Sequence, residues 1–272
     1  MRGIYTAGVL DVFLEEGISA DLVMGVSAGA IHGCSFVSGQ HGRSIRYYLK
    51  YCADKRFMSV HSLLTTGDMV GEQFCYHDIP DRLDPFDHDA FEASPMEFRV
   101  VCSNLATGKA EYIRCPSLRG EKIDYLRASA SMPFVSHIVR IDGKELLDGG
   151  ACDSIPVRAA LEELGCRRAA VVLTRPAGYR KKPSGAGAAR LFYRRYPEFA
   201  KALARRYQTY NDTLDLLEAL EKAGKILVIR PSADLHIARV ERDPARIQAQ
   251  YDLGRRDALE KLPVLREFLA GA

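Results

Sequence analysis

The chain has 272 residues, of which 47% are hydrophobic and 27% are charged, and its mean hydropathy is -0.14. These values exclude a disordered tail, a collagen-like repeat and a disulfide-stapled mini-protein. The 38 basic and 35 acidic residues leave a net charge of +3, which is too balanced to indicate a nucleic-acid partner.

The hydrophobic pattern predicts alternating helices and strands. An apolar stripe over residues 9–14 predicts a helix that ends at Gly17. Short runs rich in β-formers predict strands at residues 21–25, 98–103, 169–174 and 225–230, and Asp142-Gly143 predicts a hairpin within residues 138–147. Further helices are predicted at residues 28–38, 156–164, 207–223 and from Asp243 onward. This alternation predicts an α/β fold of three layers, α/β/α, with a mainly parallel sheet and a helical C-terminal extension.

The domain organisation follows from the same pattern. We expect residues 1–231 to form one α/β domain and residues 232–272 to form a helical extension packed on it. Residues 183–189 are linker-like in composition, and we interpret them as a loop.

The most specific local motif is Gly25-Val26-Ser27-Ala28-Gly29, a G-x-S-x-G match between a predicted strand and a predicted helix. A nucleophilic serine on so tight a turn needs small neighbours, and we expect Gly25 and Gly29 to provide that room. The N–H groups at the start of the helix carry partial positive charge, so the Ala28 N–H could stabilise an oxyanion formed near Ser27. The alternative is a small-residue turn that packs a helix on a sheet.

A serine nucleophile needs a base. His32 lies five residues after Ser27 in the same predicted helix and points away from it, and His137 and His236 lie in no local motif. Asp148, followed by Gly149 and Gly150 at the end of the predicted hairpin, is the better candidate, although Asp-Gly-Gly is also an ordinary turn sequence.

Several motifs in order along the chain resemble the patatin-like phospholipases, particularly those of bacteria. They run from residue 1 to about residue 174 and comprise Arg2-Gly3, residues 7–10, residues 25–30, residues 104–108, residues 128–133 and Asp148-Gly149-Gly150. The resemblance implies a lipid acyl hydrolase in which Ser27 is the nucleophile and Asp148 the base, with no histidine, metal or cofactor. It also implies that Arg2 and Gly3 belong to an oxyanion loop of the form G-G-x-[RK]-G. Because only the end of that loop is matched, we expect its first glycines and a preceding strand to lie before Met1.

The remaining expectations concern partners and location. Residues 175–206 hold ten basic residues against one acidic residue, with apolar and aromatic side chains between them, and we expect them to contact an anionic membrane surface. A solvated helix face is the alternative. The acidic and histidine residues at 77–89 match no metal-binding spacing. Seven cysteines without a C-x-x-C pair, and no signal or membrane-spanning segment, indicate a cytoplasmic protein. The resemblance implies that its substrate is a lipid or phospholipid ester.

Two other functions use the same residues. An acyltransferase or a thioesterase would also form an acyl-serine at Ser27. A catalytically silent protein that binds lipid surfaces would have the fold without the activated nucleophile.

Overall fold

The computed structural model of the chain describes residues 1–271. Its α-helices are α1 (Ile4–Glu15), α2 (Ala28–Val37), α3 (Arg43–Tyr51), α4 (Val60–Thr66), α5 (His88–Ala93), α6 (Asp124–Ala130), α7 (Ala186–Phe192), α8 (Pro197–Lys222) and α9 (Pro244–Ala270). Its strands are β1 (Leu22–Val26), β2 (Glu97–Asn104), β3 (Lys109–Arg114), β4 (Val139–Ile141), β5 (Lys144–Asp148), β6 (Ala169–Val172) and β7 (Ile226–Ile229). Two segments, Phe74–Leu83 and Ala159–Glu163, are π-helical.

The strands form a five-stranded sheet and a separate two-stranded sheet. Strand β1 runs parallel to β2, β2 also pairs antiparallel with β3 and β5, and β4 pairs antiparallel with β5. Strands β6 and β7 are parallel. The pairing is therefore more antiparallel than the mainly parallel sheet expected from the sequence. Two of the three antiparallel pairs have a local reason, because β2–β3 and β4–β5 are each joined by a short turn, such as Asp142-Gly143 with φ values of 49° and 72°, which can join only antiparallel neighbours.

Helices cover both faces of the larger sheet. Because successive side chains of a strand point to opposite faces, neighbouring residues of β5 enter different cores. Leu146 packs in a cluster with residues of α2, α5 and α6, whereas Leu147 packs with residues of α7 and α8. The three-layer α/β/α arrangement is thus confirmed.

The long C-terminal helix α9 packs closely against α1 and is hydrogen-bonded to it. A Cβ at Gly8 would lie 2.2 Å from the Tyr251 carbonyl oxygen, and a Cβ at Gly254 would lie 2.1 Å from the Tyr5 carbonyl oxygen. The Tyr251 hydroxyl donates to Asp11 at 2.7 Å, and the Tyr5 hydroxyl donates to Asp257 at 3.0 Å. Helix α9 therefore holds α1 in place, while a boundary at residue 231 stays a prediction.

A cavity of about 1480 Å³ lies between the two sheets. It is lined along one side by β1 and along the other by β6, and within residues 1–271 each of these strands pairs along one edge only. The cavity reaches the C-terminal end of β1, where Ser27 lies. No helix within this described range combines the length and the apolar character needed to cross a bilayer.

Candidate active site

Ser27 sits on a sharp turn between β1 and α2. Its φ of 55° and ψ of -123° are unusual for a residue with a side chain, and such strain costs about 1–3 kcal/mol. The turn is tight because β1 and α2 nearly touch at Gly25, where a Cβ would lie 2.3 Å from the Ala30 Cα. This is the strand–turn–helix geometry that the G-x-S-x-G pattern predicts.

The C-terminal end of α6 and the residue that follows it hold this turn in place. The Ser27 backbone N–H donates to Ser129 Oγ at 2.8 Å, and the Ser129 hydroxyl donates to the Val101 carbonyl at 2.7 Å. Ser129 is fully buried. Two residues later, the Ser131 carbonyl accepts a hydrogen bond from the Asp148 N–H at 2.8 Å. One short segment therefore positions both candidate catalytic residues, a role that sequence reasoning did not assign to Ser129.

Asp148 ends β5 and is buried, with 6% of its surface exposed. Burial raises the pKa of its carboxyl above the usual value, and a contact from the Ser27 hydroxyl, the charge of Arg206, the Gly150 N–H and the charge of Lys181 oppose that rise. The Gly150 N–H donates to Asp148 Oδ1 at 2.7 Å. The Ser27 contact lies outside standard hydrogen-bond geometry, as is common before a substrate binds.

Both glycines after Asp148 lie in close contacts, and the backbone contact at Gly149 requires glycine. A Cβ at Gly149 would lie 2.2 Å from the Val101 carbonyl oxygen, and one at Gly150 would lie 3.0 Å from Asp148 Oδ1 and 3.2 Å from Arg206 Nη2. The Asp-Gly-Gly sequence thus lets the chain cross β2 while it keeps the carboxyl beside Arg206.

The start of α1 meets the start of α2 at the same place. A Cβ at Gly3 would lie 2.4 Å from the Ala28 Cβ, and Arg2, Gly3 and Ala28 all line the cavity. Gly29 differs from the expectation. A Cβ there would meet nothing within 4 Å, so close packing at the turn does not require glycine at this position. Gly29 lines the cavity, and the absence of a side chain leaves that space open.

Eight of the ten basic residues in 175–206 fall into two groups, while Arg180 and Lys182 are exposed and also line the cavity. Arg175, Lys181 and Arg206 line the cavity near Asp148, which the sequence did not reveal. Arg190, Arg194, Arg195, Lys201 and Arg205 are exposed. Among the interleaved apolar residues, Tyr193 and Phe199 are core residues, whereas Leu191 and Phe192 are 70% and 67% exposed.

None of the histidines in residues 1–271 lines the cavity in which Ser27 lies. His32 is buried, its Nδ1 lies 3.0 Å from Ser44 Oγ, and burial lowers its pKa to about 3. His137 Nδ1 lies 2.8 Å from Asp68.

Asp84 and Asp87, in the acidic stretch between 77 and 89, have structural partners. Asp84 accepts two hydrogen bonds from Arg46, at 2.7 and 2.9 Å, and Asp87 caps α5. Over residues 1–271, no group of three or more His, Cys, Asp or Glu side chains is arranged to hold a metal ion.

The fold and this site define an α/β protein with a serine on a nucleophile elbow beside a buried carboxylate. The sequence model described as patatin-like phospholipase matches residues 1–161, more than half of the 272 residues, and the chain belongs to that family. A second model, described as a domain of unknown function, DUF6363, matches residues 196–270.

Known relatives are similar at low identity. The chain is 26% identical to the uncharacterized protein YjjU of Escherichia coli (strain K12), over 93% of this chain and 72% of that protein. It is 26% identical to the lysophospholipase nte1 of Aspergillus oryzae, over 57% of this chain but only 10% of that protein. It is 25% identical to an uncharacterized NTE family protein of Mycobacterium tuberculosis (strain H37Rv), over 57% of this chain and 41% of that protein. The family and its lysophospholipase members place the chain among phospholipase- and esterase-class enzymes.

Proposed function

We propose that the chain hydrolyses carboxylic esters of lipids, with Ser27 as the nucleophile and Asp148 as the general base. The observation that carries this proposal is the strained turn at Ser27, whose hydroxyl lies beside the buried Asp148 carboxyl at the end of β5, with β2 between β1 and β5 in the sheet. A non-glycine residue held in such a conformation is common at active sites, where the surrounding structure supports the strain.

The reaction then has two steps. Ser27 Oγ attacks the ester carbonyl carbon while its proton moves to Asp148, and the tetrahedral intermediate collapses as Asp148 returns the proton to the leaving alcohol. In the second step Asp148 takes a proton from water, the water oxygen attacks the acyl-Ser27 carbonyl, and the fatty acid leaves as Ser27 recovers its proton. Burial raises the pKa of Asp148 and makes it a stronger base than an exposed aspartate, and Arg206 and the Gly150 N–H keep it ionised.

The negative oxygen of the intermediate would face two helix N-termini. The first N–H groups of a helix have no partner within the helix, and Ala28 opens α2 while Gly3 precedes α1. Because a Cβ at Gly3 would touch Ala28, these two ends lie side by side at the cavity wall. We assign the N–H groups of Gly3 and Ala28 as oxyanion donors, each removal of which costs about 2.7–4 kcal/mol in comparable enzymes.

An apolar wall of the cavity suits an acyl chain. It is formed by Met58, Met132, Pro133, Phe134 and Leu203. Phe134 has a φ of 73°, and its N–H donates to the Tyr193 hydroxyl at 3.0 Å, while its ring packs 5.5 Å from the ring of Phe192 between the cavity and the surface.

Substitution of the two residues tests the mechanism. Ser27→Ala and Asp148→Asn should each abolish hydrolysis of a lipid ester, and a fluorophosphonate probe should label wild-type Ser27. Labelling at Ser27 would exclude the silent lipid-binding alternative. Transfer of the acyl group to an added alcohol would indicate an acyltransferase, and cleavage only of thioesters would indicate a thioesterase. Release of free fatty acid from an oxygen ester would exclude both of these alternatives. Activity that survives in Asp148→Asn but is lost on substitution of a histidine would contradict the assignment of the base.

We also propose that the enzyme reaches its substrate at a membrane surface through α7. Leu191 and Phe192 are exposed there, and the Phe134 and Phe192 rings are 5.5 Å apart, which joins the exposed patch to the cavity wall. Arg190, Arg194 and Arg195 surround it and would meet anionic headgroups.

Flotation with vesicles tests this contact. Binding should be stronger to vesicles that contain anionic lipid, and Phe192→Ser should weaken it, whereas Leu259→Ser, on the exposed side of α9, should not. Binding that ignores both headgroup charge and the Phe192 substitution would contradict the proposal.

A further inference from the structure

Four cationic side chains meet at the end of the cavity that holds Ser27 and Asp148. They come from separate parts of the chain: Arg2 precedes α1, Arg175 and Lys181 lie between β6 and α7, and Arg206 belongs to α8. They are close enough to repel one another. The pKa of Lys181 is lowered to about 7, first by burial and then by the charge of Arg206, with smaller contributions from Arg2 and Arg175.

The negative charges nearby do not balance these four cations. Asp148 faces Lys181 and Arg206, and Asp234 lies 3.8 Å from Arg175. Within residues 1–271, none of Arg2, Lys181 and Arg206 has a carboxylate oxygen at ion-pair distance, and the buried Arg206 Nε has no hydrogen-bond partner. A cationic group that is buried without a partner is costly, and an anion bound here would remove that cost.

The cations are also held in place, unlike solvated surface charges. The Lys181 N–H donates to Asn211 Oδ1 at 2.8 Å, and Asn211 Nδ2 donates back to the Lys181 carbonyl at 3.0 Å, which clamps this residue to α8. The Lys181 ammonium lies 4.2 Å from the centre of the Tyr210 ring, and the Arg175 guanidinium lies 4.4 Å from that of Tyr179. Such stacking fixes the direction of each charge and keeps it available to a ligand.

We propose that Arg2, Lys181 and Arg206 form a binding site for a phosphate group of the substrate, so that the enzyme selects ester lipids with a phosphate close to the scissile ester over neutral glycerides. The inference rests on the proposed hydrolase activity, because it uses the position of the cations beside Ser27 and Asp148. Guanidinium groups bind phosphate oxygens in pairs, and an ammonium adds a third donor direction. Neutral glycerides would leave these cations without a partner.

Two esters that differ only in the phosphate test the selection. A 1-acylglycerol 3-phosphate and the 1-acylglycerol with the same acyl chain are presented in nonionic detergent micelles, which removes any effect of surface charge. Wild type should show a kcat/KM at least about tenfold higher for the phosphate ester, the range expected for charge-assisted hydrogen bonds. Lys181→Gln should reduce that ratio about tenfold.

The ratio separates substrate binding from an effect on the base. Since Asp148 would act on both esters, a change in its pKa alters both rates and cancels in the ratio. Arg205→Gln is the matched control for Arg206→Gln, because Arg205 is the exposed neighbour on the same helix. We expect the ratio to fall in Arg206→Gln and to stay at the wild-type value in Arg205→Gln.

Binding measurements distinguish failure of this inference from failure of the hydrolase. Calorimetry on Ser27→Ala with sn-glycerol 3-phosphate should show binding that Lys181→Gln, introduced in the same background, abolishes, whether or not the wild type hydrolyses either ester. If wild type hydrolyses both esters with equal kcat/KM through a labelled Ser27, the hydrolase stands and the phosphate site is refuted. If inorganic phosphate binds as tightly as sn-glycerol 3-phosphate and the esters are not distinguished, the site holds a free anion and the substrate assignment is refuted. If neither ester is cleaved and Ser27 is not labelled, the proposed function fails.

Discussion

Replacement of Ser129 by alanine should weaken both the fold and the nucleophile. The Ser129 hydroxyl joins the Ser27 N–H, at 2.8 Å, to the Val101 carbonyl, at 2.7 Å, in a fully buried position. In Ser129→Ala the Ser27 N–H loses this partner, which costs about 1–3 kcal/mol, and the carbonyl loses one of its acceptor contacts at a smaller cost. The free energy of unfolding should therefore fall by about 2–4 kcal/mol, which corresponds to a Tm lower by about 5–10 °C.

The effect on reactivity follows from the strain at Ser27. The conformation with φ of 55° costs about 1–3 kcal/mol, and the hydrogen bond to Ser129 opposes its relaxation. When that hydrogen bond is removed, the Ser27 backbone can relax out of this conformation and move its hydroxyl away from the reactive position. We therefore expect the rate of fluorophosphonate labelling at Ser27 to fall roughly tenfold to a hundredfold.

Ser131→Ala provides the matched control. Ser131 lies two residues along the same segment, its hydroxyl donates only to the Arg127 carbonyl at 2.8 Å, and its contact with Asp148 is made by the backbone. Thermal denaturation and labelling kinetics of the two variants, measured side by side, should separate them. Equal labelling rates in Ser129→Ala and Ser131→Ala would refute the idea that Ser129 holds the nucleophile in its strained conformation.

Three further predictions follow from the same site. Gly25→Ala should prevent stable folding, because the added Cβ would lie 2.3 Å from the Ala30 Cα. Gly29→Ala should instead raise the free energy of unfolding by about 0.5–1 kcal/mol, because a Cβ there meets nothing within 4 Å and alanine is more stable than glycine in a helix. Equal melting temperatures of the two variants would contradict this contrast. Lys181→Gln should raise the Tm at pH 7, because a lysine whose pKa is lowered from 10.5 to about 7 on folding destabilises the fold at every pH below 10.5 and reaches its full effect below 7. The gain in Tm should therefore shrink as the pH rises from 7 and be absent above 10.5. Arg206→Gln should move the acidic limb of kcat/KM to higher pH, since removal of the cation raises the pKa of the Asp148 base further, and an unshifted pH profile would contradict that role.

Much of the fold could be predicted from local patterns. The helix that ends at Gly17, the strand before Ser27, the hairpin at Asp142-Gly143 and the cap at Asp243 all occur where the sequence places them. Each depends on interactions within a few residues, such as the positive φ of a glycine or an aspartate side chain that accepts a nearby N–H. Residues 156–164 form a π-helical segment at Ala159–Glu163 rather than a regular helix, which no local pattern indicated.

The candidate site was predictable only in part. The G-x-S-x-G and Asp-Gly-Gly motifs identified Ser27 and Asp148 because the turn geometry itself demands those residue types. Ser129, Lys181 and Arg206 carry no such local signal. A buried serine that bridges a turn to a strand looks, in sequence, like any other serine, and the cations of residues 175–206 look alike whether they face water or the cavity.

By itself, the sequence determined the family, the elbow serine and the order of most elements, because these depend on short-range geometry. The tertiary structure alone decided which residues meet. It paired β2 with strands on both of its edges, brought α1 and α9 into contact and turned three cations of one basic stretch inward toward Asp148. The physical reason is that charge balance and burial depend on residues that are far apart in the chain, such as Arg2 and Arg206, and become properties of a site only after the chain has folded.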